Sequence, residues 1–230
     1  MTCDVIATGS KGNAVLLNGK YLFDCGVPFG KLKGSIKKLE QLRVVFLTHI
    51  HGDHFNSKTI SALHRRRPSL IFACGRNLLV PLCGQCGVDP GNVICCEPGK
   101  PVEVYWGEES IEFQCIDLIH NVENVGWVVS VQQGEHSGTA MYATDTQYIP
   151  VDVPGLDLYM VECNYHVEEL EQRRAEKIAA GLFTYEDTVV ASHMSADTVR
   201  QYLERNAGTN SQVVFLHQHI SNKEVAEVGG

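Results

Sequence analysis

The sequence predicts an α/β fold in which two β-sheets pack face to face with helices outside both. Three observations predict it. Short strand-like runs alternate with helical patterns from end to end. The series divides roughly in two, each half holding several strands followed by helices, which a single open doubly wound sheet would not do. No low-complexity linker or short-period repeat interrupts it, so one domain over residues 1–230 is expected.

The elements follow in order. CDVIAT, NAVLL and KYLFDCG are three strands separated by Gly and Asn turns. SIKKLEQL has helical spacing, and RVVFLT returns as a buried strand. NSKTISALHRRR is a helix with Asn56 or Ser57 as N-cap, stopped by Pro68. SLIFACG is a strand and RNLLVPLCGQCG a helix despite Pro81. VICCE, VEVYW, SIEFQCIDLI, VGWVVSVQQ and TAMYATD make a strand-rich middle, followed by the strand DLYMVECN. HVEELEQRRAEKIAAG is the clearest helix, ended by Gly181; TVVAS reads as a strand, SADTVRQYLERN as a helix and QVVFLHQ as the last strand.

Composition narrows the function classes. With 44% hydrophobic and 20% charged residues the chain is not of disordered type. It has no run approaching a membrane span, and its first residues lack the basic start and apolar core of a secretory signal, so a cytoplasmic protein without membrane partners is expected. Nine cysteines in such a chain read as reduced thiols. Cys83-x-x-Cys86 with Cys95 and Cys96 is the one structural-zinc-like spacing; the competing reading puts Cys83 and Cys86 on a helix facing the core. The net charge of −8 does not favour tracking of a nucleic-acid backbone, although basic runs occur at Lys31–Lys38, Arg65–Arg67 and Arg173–Lys177.

The chemistry gathers in FLTHIHGDHF, where His49, His51, Asp53 and His54 fall within six positions at the end of an apolar strand. In an extended segment i and i+2 share a side, so His49 and His51 can share one ion. Gly52 allows a sharp turn that sends Asp53 and His54 toward a second ion. Imidazoles with a carboxylate suit Zn²⁺, Mn²⁺ or Fe²⁺.

H-x-H-x-D-H after an apolar strand resembles the signature of the metallo-β-lactamase superfamily. That resemblance implies a four-layer αβ/βα sandwich of two mixed sheets, with a two-metal site. It implies further ligands from later loops: His120 in IDLIHNVENVGW, Asp145 in MYATDT and His219 in VVFLHQHIS. One ion would be held by His49, His51 and His120, the other by Asp53, His54 and His219, with Asp145 shared. His217 is the rival of His219. Zinc is the first expectation and manganese the second. His64, His136 and His166 fit no motif position.

Within the superfamily, Glu162 in VECNYH and His193 in ASHMS resemble the pair that ribonuclease Z-like phosphodiesterases place beside the metals. GSKGNAVLL, FDCG, HNVENVGWVV and LHQHISN resemble a compact YycJ/WalJ-like group of bacteria and phages, which implies nuclease activity, chiefly exonuclease, and, as in similar enzymes, a homodimer. The expected reaction is hydrolysis of DNA or RNA phosphodiesters by a hydroxide bridging the two ions. Asp53 would orient it, and His193, positioned by Glu162, would protonate the departing oxygen. Lys11 and Asn13 in GSKGN would contact phosphate, or simply form a tight turn. Two alternatives stay open: a phosphodiesterase of small cyclic nucleotides, as in the phage anti-Pycsar relatives, and a carbon-ester or thioester hydrolase.

Overall fold

The computed structural model describes residues 1–218, and its two sheets are each drawn from one continuous half of the chain. The first contains, in spatial order, β1 (Cys3–Ala7), β2 (Ala14–Leu17), β3 (Tyr21–Phe23), β4 (Val44–Phe46), β5 (Ile71–Gly75) and β6 (Val93–Cys96). The second contains β7 (Val102–Trp106), β8 (Glu109–Leu118), β9 (Asn124–Gln133), β10 (His136–Ala143), β11 (Leu158–Glu162) and β12 (Gln212–Leu216). Each sheet starts antiparallel and becomes parallel, from β3 to β6 and from β10 to β12. Parallel neighbours need crossover connections, so the loops leaving these strands are long enough to carry a site.

Alternation along the strands explains the layers. Val15, Leu17, Tyr21, Phe23, Val44 and Phe46 face the second sheet, whereas Ala14, Leu16, Leu22, Val45 and Leu47 face outward. That outer face is covered by α1 (Phe29–Ser35) and α2 (Ser57–Arg66), through Leu32, Ile60 and Leu63. In the second sheet Ala140, Tyr142, Leu158 and Met160 point inward. Met141, Ala143, Tyr159 and Val161 point outward onto Val199 and Tyr202 of α5 (Ala196–Asn206). Helices therefore lie outside both mixed sheets, as the sequence predicts. The sheets meet through aromatic rings: Phe23 stacks on Phe46 at 4.9 Å and on Tyr142 of the opposite sheet at 5.1 Å. Burying each such side chain contributes about 1.5–3 kcal/mol. This stack leads directly to the strand ends that hold the site.

Capping follows the sequence closely for two helices. Asn56 Oδ1 accepts the Thr59 N–H at 3.1 Å to start α2, and Ser195 Oγ accepts that of Thr198 at 3.1 Å to start α5. Three elements differ from expectation. The helix expected over SIKKLEQL lies earlier: α1 begins after Pro28 and ends where Ile36 becomes extended and buried, leaving a 3₁₀ turn at Leu39–Gln41. Gly34 and Ser35 are weak helix residues, and burial of Ile36 decides the stop. RNLLVPLCGQCG splits into a 3₁₀ turn at Arg76–Leu78 and a π turn at Pro81–Gln85, in which the Cys86 N–H reaches back to Pro81 O at 3.2 Å. TVVAS is not a strand but part of α4 (Glu186–Ser192). Glu186 in its first turn pairs with Lys177 of α3 (Val167–Ala179) at 2.5 Å, and this packing overrides the β-branched run. Among the described residues no helix is long and apolar enough to cross a membrane.

Candidate metal centre

The chain leaves β4 through Thr48 and folds back at once, with the His54 and Phe55 N–H groups both bonded to His51 O at 2.9 and 2.7 Å. Two other segments clamp this turn. Asn13 N–H donates to Asp53 O at 2.6 Å, and the Cys25 N–H donates to His54 O at 2.9 Å. A Cβ on Gly26 would lie 1.7 Å from Asp53 O, so only glycine permits the approach. The GSKGN and FDCG stretches are thus the physical supports of the histidine turn.

The sequence reading missed Asp24. It is fully buried in a left-handed conformation (φ 57°) just beyond β3. Its carboxylate accepts from Thr48 N–H at 3.0 Å, Thr48 Oγ1 at 2.9 Å, Tyr142 OH at 2.9 Å and His54 Nδ1 at 2.7 Å. A carboxylate behind an imidazole fixes its tautomer, and here it aims His54 Nε2 at Asp145 Oδ2, 2.8 Å away. The available signal was an acidic residue ending a buried strand, where a solvated turn is the ordinary reading. Asp24→Asn will therefore weaken metal binding about 10–100-fold in chelator competition. Unchanged affinity would reduce Asp24 to a support of the fold.

The structure brings the predicted imidazoles together. His49 Nε2 and His120 Nε2 lie 3.1 and 3.2 Å from His51 Nδ1. Nitrogen ligands on one tetrahedral zinc are about 3.3 Å apart, so the three fit a common ion. Burial, reinforced by His54, pushes the His49 imidazole down to about 2, and burial lowers His120 to about 4. Both are neutral with lone pairs available, the state a metal requires. Burial opposes charge on His54 too, but Asp24 and Asp145 outweigh it and hold that imidazole well above its ordinary value. A cation at Nε2 would take the place of that proton.

Asp145 sits just past β10, buried and left-handed (φ 54°), with its carbonyl held by Asn124 Nδ2 at 2.7 Å. Burial disfavours its charge, yet His54 and His217 keep the carboxyl well below the usual range. Its Oδ1 lies 3.3 Å from His217 Nδ1 and 3.5 Å from His193 Nδ1. Three groups can each hold a metal ion: His49 with His51 and His120; His49 with His54 and Asp145; Asp145 with His193 and His217. The donor set of imidazoles around one anionic carboxylate fits divalent zinc or manganese.

The remaining expectations divide. His217, the rival ligand, follows β12 in a left-handed conformation (φ 54°), its N–H bonded to Thr8 Oγ1 at 2.6 Å and its carbonyl to Asn164 Nδ2 at 3.0 Å. His219 lies outside the described residues. Asp53 stands at the rim, a quarter exposed, with Oδ2 3.6 Å from His54 Nε2, and belongs to none of the three groups. Glu162 is buried at the end of β11 and accepts from His193 Nδ1 at 2.5 Å, while its other oxygen accepts the Thr146 N–H at 3.1 Å. Burial pushes the Glu162 carboxyl up, against the pull of His193. Because Nδ1 of His193 is held by Glu162, its Nε2 edge is the one left for chemistry. Lys11 is exposed. Asn13 is buried, and its amide donates to Gly9 O and Asp53 O, which supports the tight-turn reading and positions the metal turn. No cysteine joins a metal-binding group among the described residues. Cys86 and Cys96 are buried thiols, and burial pushes both up, to about 11 and 12, in keeping with the core-facing reading of the spacing.

Comparison with known proteins places this geometry. Residues 20–219 match a family model described as Beta-lactamase superfamily domain. None of the curated proteins matches the chain. Similar solved structures include the metallo-beta-lactamase fold protein YhfI from Bacillus subtilis, at 20% identity over 95% of this chain and 86% of that one, TM-score 0.64. Human tRNase Z, short form (ELAC1), shares 15% identity over 95% and 92% with TM-score 0.61. A diphosphatase from the PhnP family shares 15% over 94% and 86% with TM-score 0.59. At these identities the likeness is one of fold.

Proposed function

Because the chain belongs to the beta-lactamase superfamily, we propose that it is a two-metal phosphodiesterase, a cytoplasmic single-domain nuclease of the compact YycJ-like branch acting on DNA or RNA. The observation that carries this reading is the buried Glu162 bonded to His193 at 2.5 Å, with His193 3.5 Å from Asp145. A carbonyl ester can release its leaving group without such a pair, whereas an alkoxide leaving phosphorus needs a proton. Two of the similar structures, named as a tRNase and a diphosphatase, are consistent with phosphate chemistry.

His49, His51 and His120 would hold one ion, and His54, Asp53 and a histidine of the closing segment, His217 or His219, the other, with Asp145 available to both. When bound, the ions supply electrophilic stabilisation of the phosphate oxygens and a water acidic enough to react at neutral pH. The residues do the rest. Asp53, at the open rim, accepts a hydrogen bond from the attacking water and aims it. His193 delivers its Nε2 proton to the departing oxygen, and Glu162 behind it holds the ring in place through Nδ1.

A panel of single-stranded DNA, RNA, cyclic mononucleotides and a thioester, with products resolved, tests this. Cleavage of a strand in the presence of added Zn²⁺ or Mn²⁺, abolished by EDTA, is expected. Cleavage of cyclic nucleotides alone would replace the nuclease by the small-molecule phosphodiesterase, and thioester hydrolysis alone would end the phosphodiesterase reading.

A further inference from the structure

Helix α3 carries three cations with different surroundings. Arg174 pairs with Asp187 at 3.1 Å and Lys177 with Glu186 at 2.5 Å. Arg173 is half-buried, its Nε–H reaching only the Glu169 carbonyl of its own helix at 3.4 Å, and among the described residues no carboxylate pairs with it. It lines a cleft of about 60 Å³ together with Asn164, Tyr185, Glu186 and His193. The cleft is about two water molecules in size, too small for a nucleobase but suited to a tetrahedral anion. Glu186 does not spoil it, because one oxygen is held by Lys177 and the other accepts the Tyr185 N–H at 2.9 Å. Asn164 ties the cleft to the centre by donating to the His217 carbonyl at 3.0 Å.

We infer that Arg173 binds a second phosphate of the substrate, the one next to the bond that is cut. The inference rests on the phosphodiesterase reading above and deepens it. His193 meets the departing oxygen, so a cleft that shares His193 lies along the leaving strand. A guanidinium with a planar fork of donors holds a phosphate by two parallel hydrogen bonds. A cyclic mononucleotide has one phosphate, which the metal centre takes, and leaves Arg173 without a partner. The substrate class that uses every group on the page is a polynucleotide strand.

The test compares wild type, Arg173→Gln and Arg173→Lys. KM and kcat are measured for a thymidine pentanucleotide and for bis-p-nitrophenyl phosphate, and binding of a cleavage-resistant phosphorothioate pentanucleotide by fluorescence anisotropy. In the Gln variant, strand binding should weaken and strand KM rise about tenfold to hundredfold, the range for a lost charge-assisted hydrogen bond. The effect on kcat and on the KM for the small diester should be far smaller, and the Lys variant should recover part of the loss. Equal losses on both substrates, or unchanged strand binding, would overturn the assignment. If wild type hydrolyses neither diester, the phosphodiesterase reading falls, and the binding comparison still decides Arg173.

Discussion

Asp145→Ala will lose bound metal and turnover together. Asp145 is common to two of the three metal-binding groups, and it is the anion facing His54, His193 and His217 at 2.8, 3.5 and 3.3 Å. Removing it leaves crowded imidazoles with no negative charge to offset a cation, so the loss should exceed the 10–100-fold or so typical of outer partners. One other effect must be separated. The residue is left-handed (φ 54°), a conformation that costs a non-glycine residue roughly 1–2 kcal/mol but that Asp and Asn tolerate. Asp145→Asn keeps the shape and that tolerance and removes the charge. Both variants should be metal-depleted by elemental analysis and inactive. An Asn variant with full metal and full activity would refute the shared role.

His193→Ala is expected to separate chemistry from metal binding. The ring is held by Glu162, so its loss should leave metal content at the wild-type level while slowing strand cleavage about 10²–10⁴-fold, the usual worth of a general acid. The leaving group supplies the control. With bis-p-nitrophenyl phosphate the phenolate departs without a proton, and the same variant should lose little. Equal losses on both substrates, or depleted metal, would mean that His193 serves as a ligand through its group with Asp145 and His217.

Much of this was legible in the sequence because periodicity and strand-end residues are local signals. The alternation in AVLL and YLFD predicts both faces of the first sheet, and His49–His54, His120 and Asp145 announce themselves at strand ends. What was not legible depends on contacts distant in sequence. Asp24 acquires its meaning only when Tyr142, 118 positions away, donates to it. Asn13 was left open between a phosphate contact and a turn residue because its amide partner Asp53 lies in another loop. TVVAS became helical through the Lys177–Glu186 pair, which outweighs the preference of two valines and a threonine for extended backbone. The resemblance favours His219 over His217 in LHQHIS, and His219 lies outside the described residues; the turn after β12, with its Thr8 bond, sets His217 against Asp145.

Each sheet is built from its own stretch of chain, and this governs when the centre can exist. Residues up to Cys96 bring His49, His51, Asp53 and His54, while Asp145, Glu162, His193 and His217 all arrive after Val102. Neither half can assemble the constellation alone, so the reactive geometry appears only at the final docking of one half on the other. A divalent cation held by His49 and His51 from one half and His120 from the other would bridge that seam.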